Sequence, residues 1–213
     1  MSITVAPVGN SRILSVGTYR PKRVVPNSEI VDRIDSTDEW IVQRTGIESR
    51  RFAGDDETVI SMAKAACEIA LKRAKLTIAD IDTVILSTIS YPFQAPSAAT
   101  ELINELGNPK AAAFDISAAC AGFCYGVAMG SDLVRSGTSK NVLVIGVEKL
   151  SDYTDPDDRA TAFIFADGAG AVVIGQSDQP RIGQTIWGSD ADSRDAITLT
   201  PSFLDFEKNP DKG

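Results

Sequence analysis

The 213-residue chain contains no histidine, so no imidazole base and no histidine-ligated zinc site can be formed from these residues. Its three cysteines are too few, and odd in number, for a disulfide framework, which indicates a reducing compartment. Cys120 and Cys124 do not have the C-x-x-C spacing of a redox pair, and a metal would need two further ligands. We therefore expect neither a bound metal nor a cofactor.

Positive charge is also scarce, with 21 lysines and arginines against 29 acidic residues, a net charge of -8. A field of that sign repels phosphate backbones, which argues against a nucleic-acid partner. No apolar run approaches the length of a membrane span, and the N-terminus lacks the apolar core of a signal peptide. We expect a protein of the cytoplasm with no membrane partner.

Short β-branched runs alternate with longer helical patterns along the chain, which predicts an α/β fold with a mainly parallel sheet and helices on both faces. A capping box of Ser36 and Glu39 is predicted to begin one helix, which should end at Gly46. The stretch "ATAFIFADGAGAVVIGQ" is interpreted as apolar segments broken by a glycine turn. The stretch "RIGQTIWGSD" is interpreted as one more strand.

The helix predicted after Cys120, over residues 121–135, carries almost no charge until its last turn. Glycines recur every four residues along it, at Gly122, Gly126 and Gly130. Each glycine costs a helix interior up to about 1 kcal/mol relative to alanine, so the strip predicts close packing of a buried central helix. Cys120 should then lie deep at the N-terminus of this helix, where the helix dipole favours a thiolate.

From position alone Cys120 is either a nucleophile or a buried structural cysteine, and both interpretations stay open. Cys67 lies on the apolar face of its own predicted helix and is expected in the core. Cys124 follows Cys120 by one helical turn and is expected to pack beside it.

Five stretches, in this order, resemble the N-terminal portion of 3-oxoacyl-[acyl-carrier-protein] synthase III, a family of the thiolase-like superfamily: "SVGTYRP", "DSTDEWIVQRTGIESRR", "APSAATELINELG", "DISAACAGFCYG" and "DPDDRATAFIFADGAGAVVIG". The resemblance covers nearly the whole chain. It implies the N-terminal half of a thiolase-like fold in residues 1–180 and the beginning of a truncated C-terminal half in residues 181–213. The histidine and asparagine of the family's site belong to that second half.

The function that the resemblance implies is the first condensation of type II fatty acid synthesis, with Cys120 as the acylated nucleophile. Acyl-coenzyme A and a malonyl-acyl carrier protein would give a 3-oxoacyl carrier protein, carbon dioxide and coenzyme A. The alternatives are a related condensing enzyme or acyltransferase of specialised metabolism, and a non-catalytic module for dimerisation or carrier binding. The chain is expected to be a truncated form, or else a short homologue that lost the condensing chemistry.

The resemblance also assigns binding roles. Trp40, Arg44 and Arg159 match positions that bind coenzyme A, although Trp40 and Arg44 alone could be a half-buried indole under an exposed arginine. Ala95, Leu150 and Phe165 match positions of the acyl pocket. A homodimer is expected through "STISYPFQAPSAATELINEL", with Ala95 projecting into the partner's pocket. Arg50 and Arg51 are interpreted as a carrier contact or simply a solvated charge pair.

Overall fold

The computed structural model describes residues 8–199. Within them, strands and helices alternate as the sequence predicts. The strands are β1 (Asn10–Tyr19), β2 (Arg23–Pro26), β3 (Ser49–Phe52), β4 (Thr83–Ser87), β5 (Ala112–Ile116), β6 (Asn141–Lys149) and β7 (Asp167–Ser177). The helices are α1 (Asp38–Thr45), α2 (Val59–Ala74), α3 (Ala98–Leu106) and α4 (Gly122–Arg135).

Five strands form the central sheet, in the order β1-β7-β6-β4-β5, and β2 pairs with β3 in a separate hairpin. β4 runs parallel to both β5 and β6, whereas β7 lies antiparallel between β1 and β6. Four of the five strands therefore point the same way, and the predicted mixed, largely parallel sheet with helices on its faces is confirmed.

Successive side chains of a strand point to opposite faces of the sheet, so the buried strands contribute to a separate core on each face. Val84 and Leu86 pack with α2 and α3, whereas Ile85 between them packs under α4. On the first face Gly17 of β1 lets α2 approach closely, because a Cβ built there would lie 2.0 Å from the carbonyl oxygen of Ala66. The strand order thus places α4, and the turn that precedes it, over the middle of the sheet.

The glycine strip of α4 packs directly on the sheet, as its spacing predicts. A Cβ at Gly126 would lie 2.8 Å from Val144 Cγ1, and one at Gly130 would lie 3.1 Å from the same side chain. The opposite face of α4 is not buried, however, and Cys124 on it is exposed. The expectation that Cys124 packs in the core is therefore wrong, while Cys67 in α2 is fully buried as predicted.

Three local expectations are also wrong. α1 is capped by Thr37, whose hydroxyl accepts from the Trp40 N–H, so the predicted box of Ser36 and Glu39 does not form, although Gly46 ends the helix with a φ of 72°. The predicted glycine turn in residues 160–176 does not form, because its glycines lie within the continuous strand β7, and the strand predicted over residues 181–190 is absent there. β7 stays extended through its glycines because its backbone is paired with β1 on one side and with β6 on the other.

The chain divides into two compact units, Met1–Gly183 and Gln184–Gly213. The sheet and all four helices belong to the first unit. The described part of the second unit contains a single turn of 3₁₀ helix, Ala191–Ser193. The predicted boundary at residue 181 stays a prediction, and residues 200–213 lie outside the described residues. None of the helices between residues 8 and 199 combines the length and hydropathy needed to cross a bilayer.

Candidate active site

Cys120 lies in a sharp turn between the end of β5 and the beginning of α4. The turn is a short 3₁₀ helix, Ala119–Ala121, and Ala119 adopts a φ of 42° in the left-handed region. A non-glycine residue in that region costs roughly 1–2 kcal/mol, and such residues cluster at functional sites. The turn lifts Cys120 to the surface of this chain, so the expectation that it lies deep is wrong. Its role as nucleophile stays a prediction.

The N-terminus of α4 directly follows this cysteine. Its N-cap residue, Ala121, makes no side-chain cap, and the Gly122 N–H donates to the Ala119 carbonyl of the preceding turn. The aligned peptide dipoles of a helix place a positive partial charge at its N-terminus, which stabilises an anion beside it. The arrangement therefore suits a group that becomes negative at Cys120.

A cavity of about 300 Å³ lies beside Cys120. Glycines keep it open, since Gly146 of β6 and Gly170 of β7 are paired across the sheet and both lie on its wall. A Cβ at Gly170 would meet no atom within 4 Å. The cavity is lined by Ser87, Ala119, Cys120, Phe123, Gly146, Val147, Glu148, Gly168, Ala169 and Gly170.

Among the described residues of this wall, Glu148 alone carries an ionisable carboxyl group, and sequence reasoning missed it. Burial raises the pKa of this carboxyl, and the hydroxyl of Ser90 is the first of the groups that oppose the rise. Its oxygens accept from Ser90 Oγ at 2.5 Å and from the Ile89 N–H at 3.0 Å. The only sign of Glu148 in the sequence is that an acidic residue lies near the end of an otherwise apolar predicted strand.

Trp40 of α1 is the centre of a second cluster. The guanidinium carbon of Arg44 lies 4.6 Å from the centroid of the indole, and that of Arg159 lies 5.7 Å from it. Phe163 packs edge-on against the same ring at 5.5 Å. The structure thus brings together the three residues expected to bind coenzyme A. The two guanidinium groups lie within cation–π distance of the indole ring. Their role in binding stays a prediction.

The loop that carries Arg159 is tied down by hydrogen bonds. Asp158 accepts from the Thr161 hydroxyl, and this bond, with the Ala160 N–H, lowers the pKa of the carboxyl. Arg159 itself donates to the Asp35 carbonyl and lies 3.4 Å from the Asp35 carboxylate. A guanidinium held in this way presents its remaining N–H groups from a defined position.

Arg50 supports the same loop from within the protein. It is 4% exposed, and it donates to Asn27 Oδ1 at 2.6 Å and to the Phe163 carbonyl at 3.3 Å. Burial lowers the pKa of this guanidinium. The interpretation of Arg50 as a surface carrier contact is therefore wrong, because its charge serves the packing of the hairpin against the loop.

The three residues expected in the acyl pocket lie on three different stretches of the described chain, and Ser151, the neighbour of Leu150, lines the same cavity as Phe165. Ala95 is exposed, next to a cis peptide bond to Pro96. Leu150 begins a short 3₁₀ helix, and Phe165 lines a separate cavity of about 310 Å³ behind the β2–β3 hairpin. None of the three lies on the described wall of the Cys120 cavity. Their assignment to the acyl pocket stays a prediction. Residues 8–199 contain no cluster of side chains suited to a metal ion.

Comparison with known proteins connects this geometry with a family. A model of the 3-oxoacyl-[acyl-carrier-protein (ACP)] synthase III family matches residues 114–191. The β-ketoacyl-[acyl-carrier-protein] synthase III of Streptomyces glaucescens is 52% identical over 198 residues, 93% of this chain and 60% of that protein. Synthase III 1 of Streptomyces coelicolor is 54% identical over 196 residues, 92% of this chain and 57% of that protein. The chain thus spans about 60% of the length of these curated relatives.

One solved structure, of the priming β-ketosynthase from the R1128 polyketide biosynthetic pathway, matches the chain with a TM-score of 0.97. It is 42% identical, and the match covers 100% of this chain and 64% of that one. The predicted thiolase-like fold is confirmed by this similarity. The turn that carries Cys120 lies inside the segment that the family model matches. Over nearly its whole length the chain is similar to members of the 3-oxoacyl-[acyl-carrier-protein] synthase III family.

Proposed function

We propose that this chain carries the acyl-loading centre of an initiating condensing enzyme, in which Cys120 takes an acyl group from acyl-coenzyme A. The observation that carries the proposal is the exposed Cys120 at the N-terminus of α4, beside an open cavity, in a chain similar to the synthase III family. The extending unit is a malonyl-acyl carrier protein.

In the loading step the Cys120 thiolate attacks the thioester carbonyl carbon of acyl-coenzyme A. A carbon–sulfur bond forms to the enzyme, and coenzyme A leaves as its thiolate. The backbone N–H of Cys120 is one donor to the oxyanion of the tetrahedral intermediate. The second step joins the carbanion left by decarboxylation of the malonyl unit to the acyl carbon, which releases the cysteine. These 213 residues include no histidine, so they do not by themselves supply the imidazole that the family resemblance assigns to this step.

Coenzyme A binds at the Trp40 cluster in this proposal. The indole face stacks on the adenine ring, and the guanidinium groups of Arg44 and Arg159 bind phosphate through forked donors. The support is the geometry of the cluster, because an indole ring with two guanidinium groups beside it offers a stacking surface for a base next to donors for its phosphates.

The chain forms a homodimer in this proposal, through residues 87–106 as the resemblance implies and through the neighbouring free edge of β5. Within the described residues β5 pairs only with β4. The Ala112 N–H donates to the Asp82 carbonyl on the β4 side, so by the alternation of a strand the backbone groups of Ala113 point outward. An edge without lysine or proline can pair with a second copy. Ala113→Pro removes the outward donor and should give a monomer in sedimentation, whereas Ala113→Val should remain a dimer.

A second candidate function is the priming step of a specialised pathway. It is favoured by the TM-score of 0.97 to a protein described as a priming β-ketosynthase of a polyketide pathway. The small side chain of Ala95 would leave space for branched or longer primers, each buried methylene contributing about 0.8 kcal/mol. Comparing acetyl-coenzyme A with branched acyl-coenzyme A on the wild type and on Ala95→Phe separates the candidates. A strong preference of the wild type for acetyl would exclude the wider pocket.

The activity is tested on the protein expressed from its complete gene, by following coenzyme A release and 3-oxoacyl product. Cys120→Ala should abolish both. Trp40→Ala should raise the KM for acyl-coenzyme A about tenfold, as expected for the loss of a base–aromatic stack. The matched control is Trp187→Ala, at the second of the two tryptophans. Full turnover without Cys120 would refute the proposal, and an unchanged KM in Trp40→Ala would refute the coenzyme A site.

A further inference from the structure

The connection between β4 and α3, residues 88–97, contains Ala95 and is exposed from residue 92 to residue 96. Such a segment takes its position from its two ends. Both ends are held by a carboxylate from a neighbouring strand, and neither carboxylate has a role in the loading chemistry described above.

The first end is held by Glu148, at the end of β6. Its carboxylate accepts from the Ile89 N–H at 3.0 Å, from Ser90 Oγ at 2.5 Å and from Thr88 Oγ1 at 3.3 Å. Ser90 Oγ in turn accepts from the Lys149 N–H at 2.8 Å. The first three residues of the connection are therefore fixed to β6.

The second end is held by Asp115, in β5. One carboxylate oxygen accepts from the Ala98 N–H at 2.7 Å and the other from the Ala99 N–H at 2.8 Å. These are the first N–H groups of α3, which its own cap residue Ser97 does not satisfy, since that hydroxyl accepts from Thr100. The end of the connection is therefore fixed to β5.

The two strands that supply these carboxylates also supply the site. β5 and β6 flank β4 on either side, β5 leads into the turn of Cys120, and Glu148 lies on the wall of the Cys120 cavity. We propose that Asp115 and Glu148 are positioning residues that hold residues 88–97 in place, so that Ala95 reaches the acyl pocket of the partner subunit, and that they thereby set which acyl primers the enzyme accepts. This inference rests on the proposed function in two respects, the homodimer and the role of Ala95 in the acyl pocket.

The test is the ratio of kcat/KM for acetyl-coenzyme A to kcat/KM for a branched acyl-coenzyme A, in the protein from its complete gene. This ratio does not depend on how much of the protein is folded. Asp115→Asn turns one acceptor oxygen into a donor that faces an N–H group, and Glu148→Gln disturbs three donors. One lost hydrogen bond is worth about 1 kcal/mol, so each variant should change the ratio roughly fivefold, with Cys120 still acylated.

Asp82 provides the matched control, because its carboxylate also accepts from two consecutive N–H groups, those of Lys140 at 2.7 Å and Asn141 at 3.1 Å. It lies at the opposite end of β4, away from Cys120. Asp82→Asn should lower stability without changing the primer ratio. An unchanged ratio in both Asp115→Asn and Glu148→Gln, or an equal change in Asp82→Asn, would overturn the inference.

Hydrogen exchange of the unaltered protein tests the same inference if a variant does not fold. The amides of Ile89, Ala98 and Ala99 should exchange as slowly as those of β4, and much more slowly than the exposed amides between them. Fast exchange at these three amides would overturn the inference. A wild type that never acylates Cys120 would instead refute the proposed function, and the exchange pattern would still decide whether the two carboxylates hold the connection.

Discussion

An alanine at position 122 would have no room for its methyl group. Gly122 is the first residue of α4, and a Cβ built on it lies 1.9 Å from Ser87 Oγ and 3.1 Å from Ser87 Cβ. A rotation of the Ser87 side chain can move the hydroxyl, but its Cβ is fixed by β4. The φ of Gly122 is -56°, an ordinary helical value, so packing alone requires glycine there.

The magnitude follows from two opposing effects. Overpacking of a well-packed site costs roughly 1–3 kcal/mol. Alanine is favoured over glycine in a helix interior by up to about 1 kcal/mol, and by less at the first helical position. Gly122→Ala should therefore lower the free energy of unfolding by about 1–2 kcal/mol. Gly170→Ala, whose methyl group would meet no atom within 4 Å, should not lower it.

Urea denaturation of Gly122→Ala, Gly170→Ala, Ser87→Gly and the double variant Ser87→Gly/Gly122→Ala measures the effect. Removing the Ser87 side chain takes away both close contacts, so the double variant should be more stable than the sum of the two single changes predicts. Because α4 begins directly after the turn of Cys120, Gly122→Ala should also slow acylation. Additive effects, or a Gly122→Ala variant as stable as the wild type, would refute the packing argument.

Two further predictions concern other ionisable groups. The N–H of Gly54 and then the hydroxyl of Tyr19, at 2.5 Å, lower the pKa of Glu57 below its ordinary 4.5, so its contribution to stability is present above pH 4.5 and is lost as the pH falls below it. Tyr19→Phe should make that loss smaller in unfolding measurements across this range, and an unchanged acid limb would contradict the assignment. Burial strongly raises the pKa of the Cys67 thiol, so iodoacetamide should label Cys120 in the native protein and leave Cys67 unlabelled until it unfolds; equal labelling in the native state would contradict it.

The sequence patterns that predicted the fold correctly are local ones. The apolar runs of β4 and β6 and the glycine spacing of α4 each specify a buried surface within a single element. The spacing of residues that face such a surface is set by the helix or strand itself, so it can be recognised in the sequence without knowing which elements pack against it. Ser36 and Thr37 are equally good N-cap residues by type, so the sequence alone cannot show that the helical backbone of α1 begins after Thr37.

What the sequence could not predict depends on contacts between distant elements. Asp115 and Glu148 are ordinary acidic residues until the strand order places them beside β4. Arg50 resembles a surface charge until the hairpin folds it against the loop of Arg159. The exposure of Cys120 depends on the left-handed backbone of its neighbour, which no periodic pattern indicates. Of these four residues, family resemblance assigned a role only to Cys120, and the contacts of the other three became visible only in the folded chain.

The central claim is that Cys120 is the residue that accepts the acyl group. Intact-protein mass spectrometry after incubation with acyl-coenzyme A tests it most directly, followed by peptide mapping across the three cysteines. We predict a gain of one acyl group per chain, located on Cys120 and absent from Cys120→Ala. No adduct on the protein from its complete gene, or an adduct that persists in Cys120→Ala, would contradict the account.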